Sequence, residues 1–254
     1  MTSGGEGPFE VTGGSVLGRD HLLAGRNNQD AFGWRQDAAG LAAVVCDGCG
    51  SAPRSEVGAV LFARLLPELF LRGLARGLVP GRDLLDEVQR EAIAKLRVVA
   101  EALGGDRRES VHDFFLFTIV GAVLHERGAC LFSLGDGLAL LNSERIDIGP
   151  FEGNAPPYLA YGLCGREVSF TLHRALPLSE VRTILLGTDG AAALPNLGQL
   201  VEDDRTFRNR DALRRHLALA NREVLSVEGG RLRRTPGALS DDTTLIAMRR
   251  RREA

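Results

Sequence analysis

Four acidic clusters, spread over most of the chain, fall where an apolar run breaks: Gln29-Asp30, Asp47-Gly48, Asp189-Gly190 and Asp241-Asp242. Three of them read VVCDGCGS, ILLGTDGAAAL and SDDTTLIAM, with carboxylates beside β-branched or leucine-rich stretches. A strand that ends in Asp-Gly puts a carboxylate on the rim of a sheet, and the glycine leaves the backbone free to turn inward. A fold that gathers such rims collects negative charge that a cation has to balance. Carboxylate and carbonyl oxygens are hard ligands, so magnesium, manganese or calcium is expected there in preference to zinc.

With 254 residues the chain can bury a sizeable core, and a formal charge of −2 gives no reason to expect a nucleic-acid partner. Lys95 is the only lysine among an otherwise all-arginine basic set. The first residues, MTSGGEGPFE, have neither a basic start nor an apolar run, unlike a signal peptide. No stretch approaches the roughly 20 apolar residues of a membrane span. A monomer acting in the cytoplasm, without a membrane partner, is the expectation. Cys46, Cys49, Cys130 and Cys164 are too few and too irregular for a disulfide framework. The Cys46-x-x-Cys49 pair closes an apolar strand instead of opening a helix, and no second Cys or His pair completes a zinc site.

Residues 1–10 read as a loose tail, 11–248 as one domain, and 249–254 as a basic, solvated end. Strands are expected over 11–17, 31–34 and 41–46, the last an unbroken apolar run. A Gly-rich loop then leads, through Ser55 as N-cap, into a helix over 55–71. Its predicted apolar face is Val57, Val60, Leu61, Leu65 and Leu69, with Pro67 a kink or break. A second helix over 83–103 repeats Leu84, Val88, Ala92, Leu96, Val99 and Leu103. Further strands are predicted over 114–124, 129–134, 138–142, 168–172, 181–186 and 244–248. A hairpin turn is predicted at Gly135-Asp136-Gly137, a loop over 149–157 and a helix over 208–227. Strands at both ends with helices between them predict an α+β fold with sheets packed face to face.

The ordered series Asn-x-Asp, Val-x-Asp-Gly-x-Gly, Gly-Asp-x-x, Thr-Asp-Gly and Asp-Asp-x-Thr resembles the PPM family of metal-dependent phosphatases, the type 2C serine/threonine phosphatases. The resemblance covers about residues 15–248 and implies a β-sandwich of two antiparallel sheets flanked by helical pairs, four layers in all. It implies two Mg²⁺ or Mn²⁺ ions at one end of the sandwich, holding a hydroxide between them for attack on a phosphoserine or phosphothreonine. By the same resemblance Asp47 bridges both ions, Gly48 offers its carbonyl, and Asp189 and Asp241 complete the ligands of one ion. Asp242 stands where the family has a supporting Asn. Asp113, just before the strand expected from Phe114, matches a residue that binds a third ion in many members. Asp30 falls beside the ligands, and Asp136 in its turn matches a structural position. The implied partners are a phosphorylated protein and a cognate Ser/Thr kinase.

Three positions depart from the family pattern. Gln29 replaces the usual Glu as a metal or water ligand, which removes one negative charge. Cys49 replaces a His proposed as a general acid; an unperturbed thiol has a pKa of about 8.5. Gly25 replaces a phosphate-binding Arg, with Arg26 one residue away. The stretch Gly18-x-x-His21-x-x-x-Gly25, followed by Gln29-Asp30, resembles a bacterial branch that uses Gln-Asp. There His21 becomes a candidate for phosphate binding or proton transfer, against a loop histidine without a task. Two readings stay open: an active phosphatase, and a sandwich that has lost catalysis and works by binding proteins.

Overall fold

The computed structural model describes residues 7–229 and 231–251. In chain order its elements are β1 (Phe9–Val16), α1 (Arg19–Leu23), β2 (Ala31–Asp37), β3 (Gly40–Gly48), α2 (Glu56–Ala75), α3 (Arg82–Leu103) and α4 (Arg107–Phe114). Then follow β4 (Phe117–His125), β5 (Gly128–Leu134), β6 (Gly137–Leu141), β7 (Glu144–Ile148), β8 (Thr171–Leu176) and β9 (Thr183–Gly187). The last stretch holds α5 (Leu197–Glu202), α6 (Asp204–Phe207), α7 (Ala212–Ala220), β10 (Val224–Glu228), β11 (Arg231–Thr235) and β12 (Thr243–Arg250). One five-stranded sheet has the order β1-β12-β9-β6-β7 and the other β2-β3-β4-β5-β8, with every pairing antiparallel. A separate two-stranded ribbon pairs β10 with β11.

Three apolar layers hold the sandwich together. Phe62, Leu66, Phe70 and Leu74 of α2, with Leu84, Val88 and Leu96 of α3, pack on Val44, Cys46, Ile119 and Phe132 of the second sheet. Between the sheets, Val45, Val120, Leu131, Ala139, Leu186 and Ile246 meet face to face. On the far side Leu200 of α5 and Leu213 and Leu217 of α7 cover Leu138, Leu185 and Leu245. Strands covered on both faces carry apolar residues at successive positions, which is why β3, β4, β5 and β9 read as continuous runs. Each such fully buried side chain contributes roughly 1.5–3 kcal/mol.

The structure corrects several expectations. α2 keeps only part of its expected face inward: Leu69 is buried and Leu61 and Leu65 partly so, but Val57 and Val60 are exposed, and Ala59, Phe62, Ala63 and Leu66 are buried instead. Small residues at Gly58, Ala59 and Ala63 let the helix approach the sheet closely, and the aromatic rings fill the space beside them. Pro67 does not break the helix, which continues to Ala75. Leu84, Val88, Ala92 and Leu96 do form the buried stripe of α3, but Leu103 is exposed. Phe114 ends a helix and does not begin a strand; α4 is opened by Asp106, whose side chain accepts the Arg108 N–H at 2.7 Å. The Gly135-Asp136-Gly137 turn is no hairpin, because it carries the chain from β5 in one sheet to β6 in the other.

The helix expected over 208–227 is α7 alone, and Val224 onward is strand. β7, an edge strand alternating polar residues with Ile146 and Ile148, was not expected at all. The tail boundaries also move. Phe9 and Glu10 pair in β1, and Arg249 and Arg250 belong to β12. Arg249 is far from a solvated end: it bridges Glu10 at 2.8 Å and Asp204 at 2.6 Å and lies over the Phe207 ring. Residues 1–6 and 252–254 of the expected tails lie outside the described residues.

Candidate active site

Antiparallel pairing brings the end of β1, the start of β2, the end of β3, the start of β4, the β5–β6 turn, the end of β9 and the start of β12 to one end of the sandwich. Those rims enclose a cleft of about 230 Å³ lined by His21, Asp47, Gly48, Asp136, Asp189 and Asp241, among others. Asp47 sits opposite Thr118 in the ladder, so the last residues of β3 deliver its carboxylate to the rim. Asp189 follows Thr188, where β9 gives way to a short turn. Among the described residues neither Lys nor Arg lines the cleft, so five aspartates, Asp242 included, face it with His21 as the one basic lining side chain.

Electrostatics follow from that crowding. Burial pushes the Asp47 carboxyl well above the usual range, and Asp30, Asp189 and Asp241 push it further; it also shares a hydrogen bond with Asp189. Burial raises Asp30 to about 8, against the opposing hydrogen bond from Thr188. Asp241 is raised by burial and by Asp189, although the Asp242 amide, 2.8 Å from its Oδ1, pulls the other way. Asp136 is raised by burial first and by Asp189. Each of these shifts marks a carboxylate with less compensation than its charge requires.

Asp242 differs from its neighbours because both its oxygens are used. Oδ1 accepts the Gly18 N–H at 2.7 Å, and Oδ2 accepts the Gln29 N–H at 2.6 Å and meets His21 Nδ1 at 2.8 Å. It therefore ties β12 to α1 and to the start of β2. The glycines around it are needed for close backbone approach: a Cβ on Gly18 would lie 2.2 Å from the Asp241 carbonyl carbon, and one on Gly190 2.1 Å from the Asp242 oxygen. Asp30 braces the two sheets beneath the cleft. Its Oδ2 accepts the Thr188 hydroxyl at 2.7 Å, and that hydroxyl in turn accepts the Thr244 N–H at 3.0 Å.

Among the expected site residues, Asp47, Gly48, Asp189, Asp241 and His21 come together at the cleft. Gln29 and Asp30 lie buried just behind it. Arg26 reaches the rim, where its Nη1 donates to the Gly50 carbonyl. Asp113 does not join them: it lies in the last turn of α4, its carboxylate meets His112 Nδ1 at 3.0 Å, and it is absent from the lining. The helical turn that displaces the expected strand start at Phe114 also displaces Asp113. Sequence reasoning missed the 149–170 segment, which supplies Asn154, Pro156 and Tyr158 to the cleft, and it gave Asp136 no place there. The Asp136 turn could have been recognised as a rim because it links two apolar strands just as the other acidic clusters do.

The cysteines separate clearly. Cys46 is buried under α2, whereas Cys49 lines the cleft beside Ser51, 3.1 Å away. Burial favours the Cys49 thiol, but hydrogen bonds from Ser51, Tyr158 and the Ser51 and Ala52 backbone outweigh it and lower its pKa. All four cysteines are free.

The donor set fits divalent cations. Asp47, Asp189 and Asp241 offer carboxylate oxygens, and two buried acceptors, Gln29 Oε1 and Asp30 Oδ1, find no donor among the described residues. Gln29 spends its amide N–H on the Ala52 carbonyl at 2.9 Å, which turns its oxygen away from that bond. His21, Asp241 and Asp242 also bring ligand atoms within 4.8 Å of one another. Oxygen-rich sets of this kind suit Mg²⁺ or Mn²⁺.

Two antiparallel sheets between helical layers, with aspartates on the rims of one end, define the architecture of the PPM-type phosphatases. The chain matches protein phosphatase 2C over residues 17–226 and belongs to that family. Among solved structures it is similar to the serine/threonine phosphatase Stp1 from Staphylococcus aureus, with a TM-score of 0.61 and 15% identity, covering 99% of this chain and 98% of that one. It is similar also to the serine/threonine phosphatase PstP/Ppp of Mycobacterium tuberculosis, with a TM-score of 0.55, 18% identity and 96% and 99% of the two chains covered. The PstP catalytic domain in complex with two manganese ions superposes with a TM-score of 0.54 and 18% identity, covering 95% and 97%. At such identities the likeness is one of fold. No curated protein matches the chain. Among the described residues, no helix is long and apolar enough to cross a membrane.

Proposed function

We propose that this chain hydrolyses phosphoserine and phosphothreonine in proteins, with Mn²⁺ or Mg²⁺ held by Asp47, Asp189 and Asp241 and by the Gly48 carbonyl. The observation that carries the reading is the convergence of these aspartates in a cleft that, among the described residues, no Lys or Arg lines. Folding would not gather that charge without a ligand to balance it. When bound, a pair of such ions activates water for in-line attack and neutralises the phosphoryl oxygens of the ester. The chain's own residues hold and orient. Asp242 fixes the His21 ring, and the imidazole faces the cleft at Gly50, where an added Cβ would lie 3.7 Å from Nε2. His21 and Arg26 thus meet the same rim loop and are placed to bind the phosphate, where the family's usual Arg is absent. Gln29, its oxygen unpaired, orients water at the buried side of the site.

All three carboxylates assigned to metal are present and clustered, which supports an active enzyme over a protein-binding relic. A protein Ser/Thr kinase is the opposing activity such a phosphatase requires. The test is hydrolysis of p-nitrophenyl phosphate and a phosphothreonine peptide with Mn²⁺, Mg²⁺ or EDTA, beside Asp47→Asn. Turnover that needs the ion and disappears in the variant is expected. Folded protein that turns over neither substrate with any ion would overturn the assignment.

A further inference from the structure

The β10–β11 ribbon is the one sheet of the described chain that packs into neither face of the sandwich. An isolated two-stranded ribbon is marginal in water. Its pairing sets Val227 opposite Leu232, Leu225 opposite Arg234, and Ser226 opposite Arg233. Directly paired residues share a face and alternate residues change face. One face therefore carries Leu225, Val227 and Leu232, which are 57%, 72% and 70% exposed, together with Arg234, which bridges Glu223 at 2.7 Å. The other carries Val224, Ser226, Arg231, Arg233 and Thr235, with Glu228 at the position opposite Arg231. Among the described residues, neither outer edge pairs with another strand.

The ribbon is rooted beside the cleft. At its base the Ala238 N–H bonds the Ala220 carbonyl at 3.0 Å, closing the arm against the end of α7. The next carbonyls, of Leu239 and Ser240, accept the N–H groups of Arg19 and Asp20 at 3.1 and 2.9 Å, immediately before His21. Asp241 and Asp242 follow directly. The charge is also local: residues 205–235 contain nine arginines and three acidic residues in a chain whose net charge is −2.

We propose that the ribbon is a docking arm for the phosphoprotein substrate, pairing its open edge with an extended segment in which acidic and apolar residues alternate. A strand added beside β11 continues both faces at once, so every second side chain lies next to Leu232 and extends the face of Leu225 and Val227, while the others lie next to Arg231 and Arg233. Main-chain pairing supplies affinity, and the two unlike faces supply the period-two preference. A nucleic acid fits less well, since residues 222–235 contain no aromatic side chain on which a base could stack. The proposal rests on the phosphatase reading for the word substrate, but binding can be measured without turnover.

The test compares wild type with a Leu225→Ser, Val227→Ser, Leu232→Ser variant and, separately, with Arg231→Ser, Arg233→Ser. Probes are a labelled phosphothreonine peptide flanked by alternating Asp/Glu and Val/Leu, and a second flanked by Ser and Lys. By fluorescence anisotropy, each variant is expected to weaken binding of the first peptide by about tenfold or more, leaving the second unchanged. In turnover, KM for the first peptide rises while kcat/KM for p-nitrophenyl phosphate stays at the wild-type value, which also reports that the site is folded. Equal binding of both peptides by wild type, or no loss in either variant, overturns the docking arm. Loss of binding to phosphatidylserine vesicles or a single-stranded oligonucleotide, with peptide binding intact, overturns it in favour of those surfaces. Absent p-nitrophenyl phosphate turnover with intact, variant-sensitive peptide binding overturns the phosphatase reading alone.

Discussion

His21 Nδ1 lies 2.8 Å from Asp242 Oδ2, a contact between two residues 221 positions apart that joins α1 to the start of β12. Because a carboxylate only accepts, the ring donates at Nδ1, and this fixes which nitrogen faces the cleft. The same carboxylate holds the Gly18 and Gln29 amides, so it positions the backbone on either side of His21 as well. Asp242→Asn keeps the shape but replaces one acceptor oxygen with an NH₂ that faces the Gly18 or the Gln29 N–H, donor against donor. Turnover of p-nitrophenyl phosphate is expected to fall about 10–100-fold, the usual cost of losing such an orienting partner. His21→Gln should fall comparably, and the double variant no further than the worse single one, because the two act as a unit. Fully additive losses in kcat/KM would show that they act separately. Thermal unfolding should separate the pair: Asp242→Asn loses a buried backbone hydrogen bond and sets its NH₂ against that backbone N–H, whereas His21→Gln touches one side-chain bond, so the first should melt lower.

The crowded carboxylates make the metal-free protein sensitive to pH. An Asp titrates near 3.8 when unfolded, whereas Asp30 is pushed up to about 8 in the fold, and Asp47 is raised in the same direction. Between those values the folded state binds more protons than the unfolded one, so stability falls as pH rises through the window. For Asp30 alone the full loss is on the order of 5 kcal/mol. In EDTA, melting temperature should therefore decline from pH 4 to pH 8. Mn²⁺ should flatten the decline by neutralising the cluster, and Asp30→Asn should flatten it without metal. A melting temperature independent of pH in EDTA would contradict the buried, mutually repelling carboxylates.

Much of this site was legible because the signal was local. Asp47, Asp189 and Asp241 each end or begin a strand whose apolar run is unbroken, and antiparallel pairing then leaves such ends little choice but to meet. The stripe of α3 was legible for the same reason, since its other face is polar. What failed depended on packing between elements. α2 is apolar almost all round, so periodicity could not say whether Val57 or Phe62 faces the sheet; the answer comes from the glycine and alanine contacts with β2 and β4. Asp113 was misplaced because Phe114-Phe115 reads equally well as a strand start and as a helix end. The resemblance gave Asp242 a supporting place, but not its three partners, which come from positions 18, 21 and 29.

The survival of α2 through Pro67 has a counterpart in β2. Proline lacks the N–H that would bond the carbonyl four residues earlier, which is that of Ala63. Gly33 of β2 approaches this same carbonyl, so closely that a Cβ on Gly33 would stand 2.0 Å from the Ala63 oxygen. No flexible side chain can yield there; the helix and the strand must separate. Overpacking in a tight core costs 1–3 kcal/mol when side chains can adjust, so Gly33→Ala is expected to cost about 3 kcal/mol or more. For a domain of this size that lowers the melting temperature by roughly 6–12 °C. Gly198→Ala serves as the control: it lies in α5, and its nearest neighbour is the end of the Leu140 side chain at 3.9 Å. There the added methyl restricts only the unfolded chain, and a gain of about 0.4–1 kcal/mol is expected. Equal melting temperatures for the two variants would mean that β2 and α2 do not meet at Gly33 and Ala63.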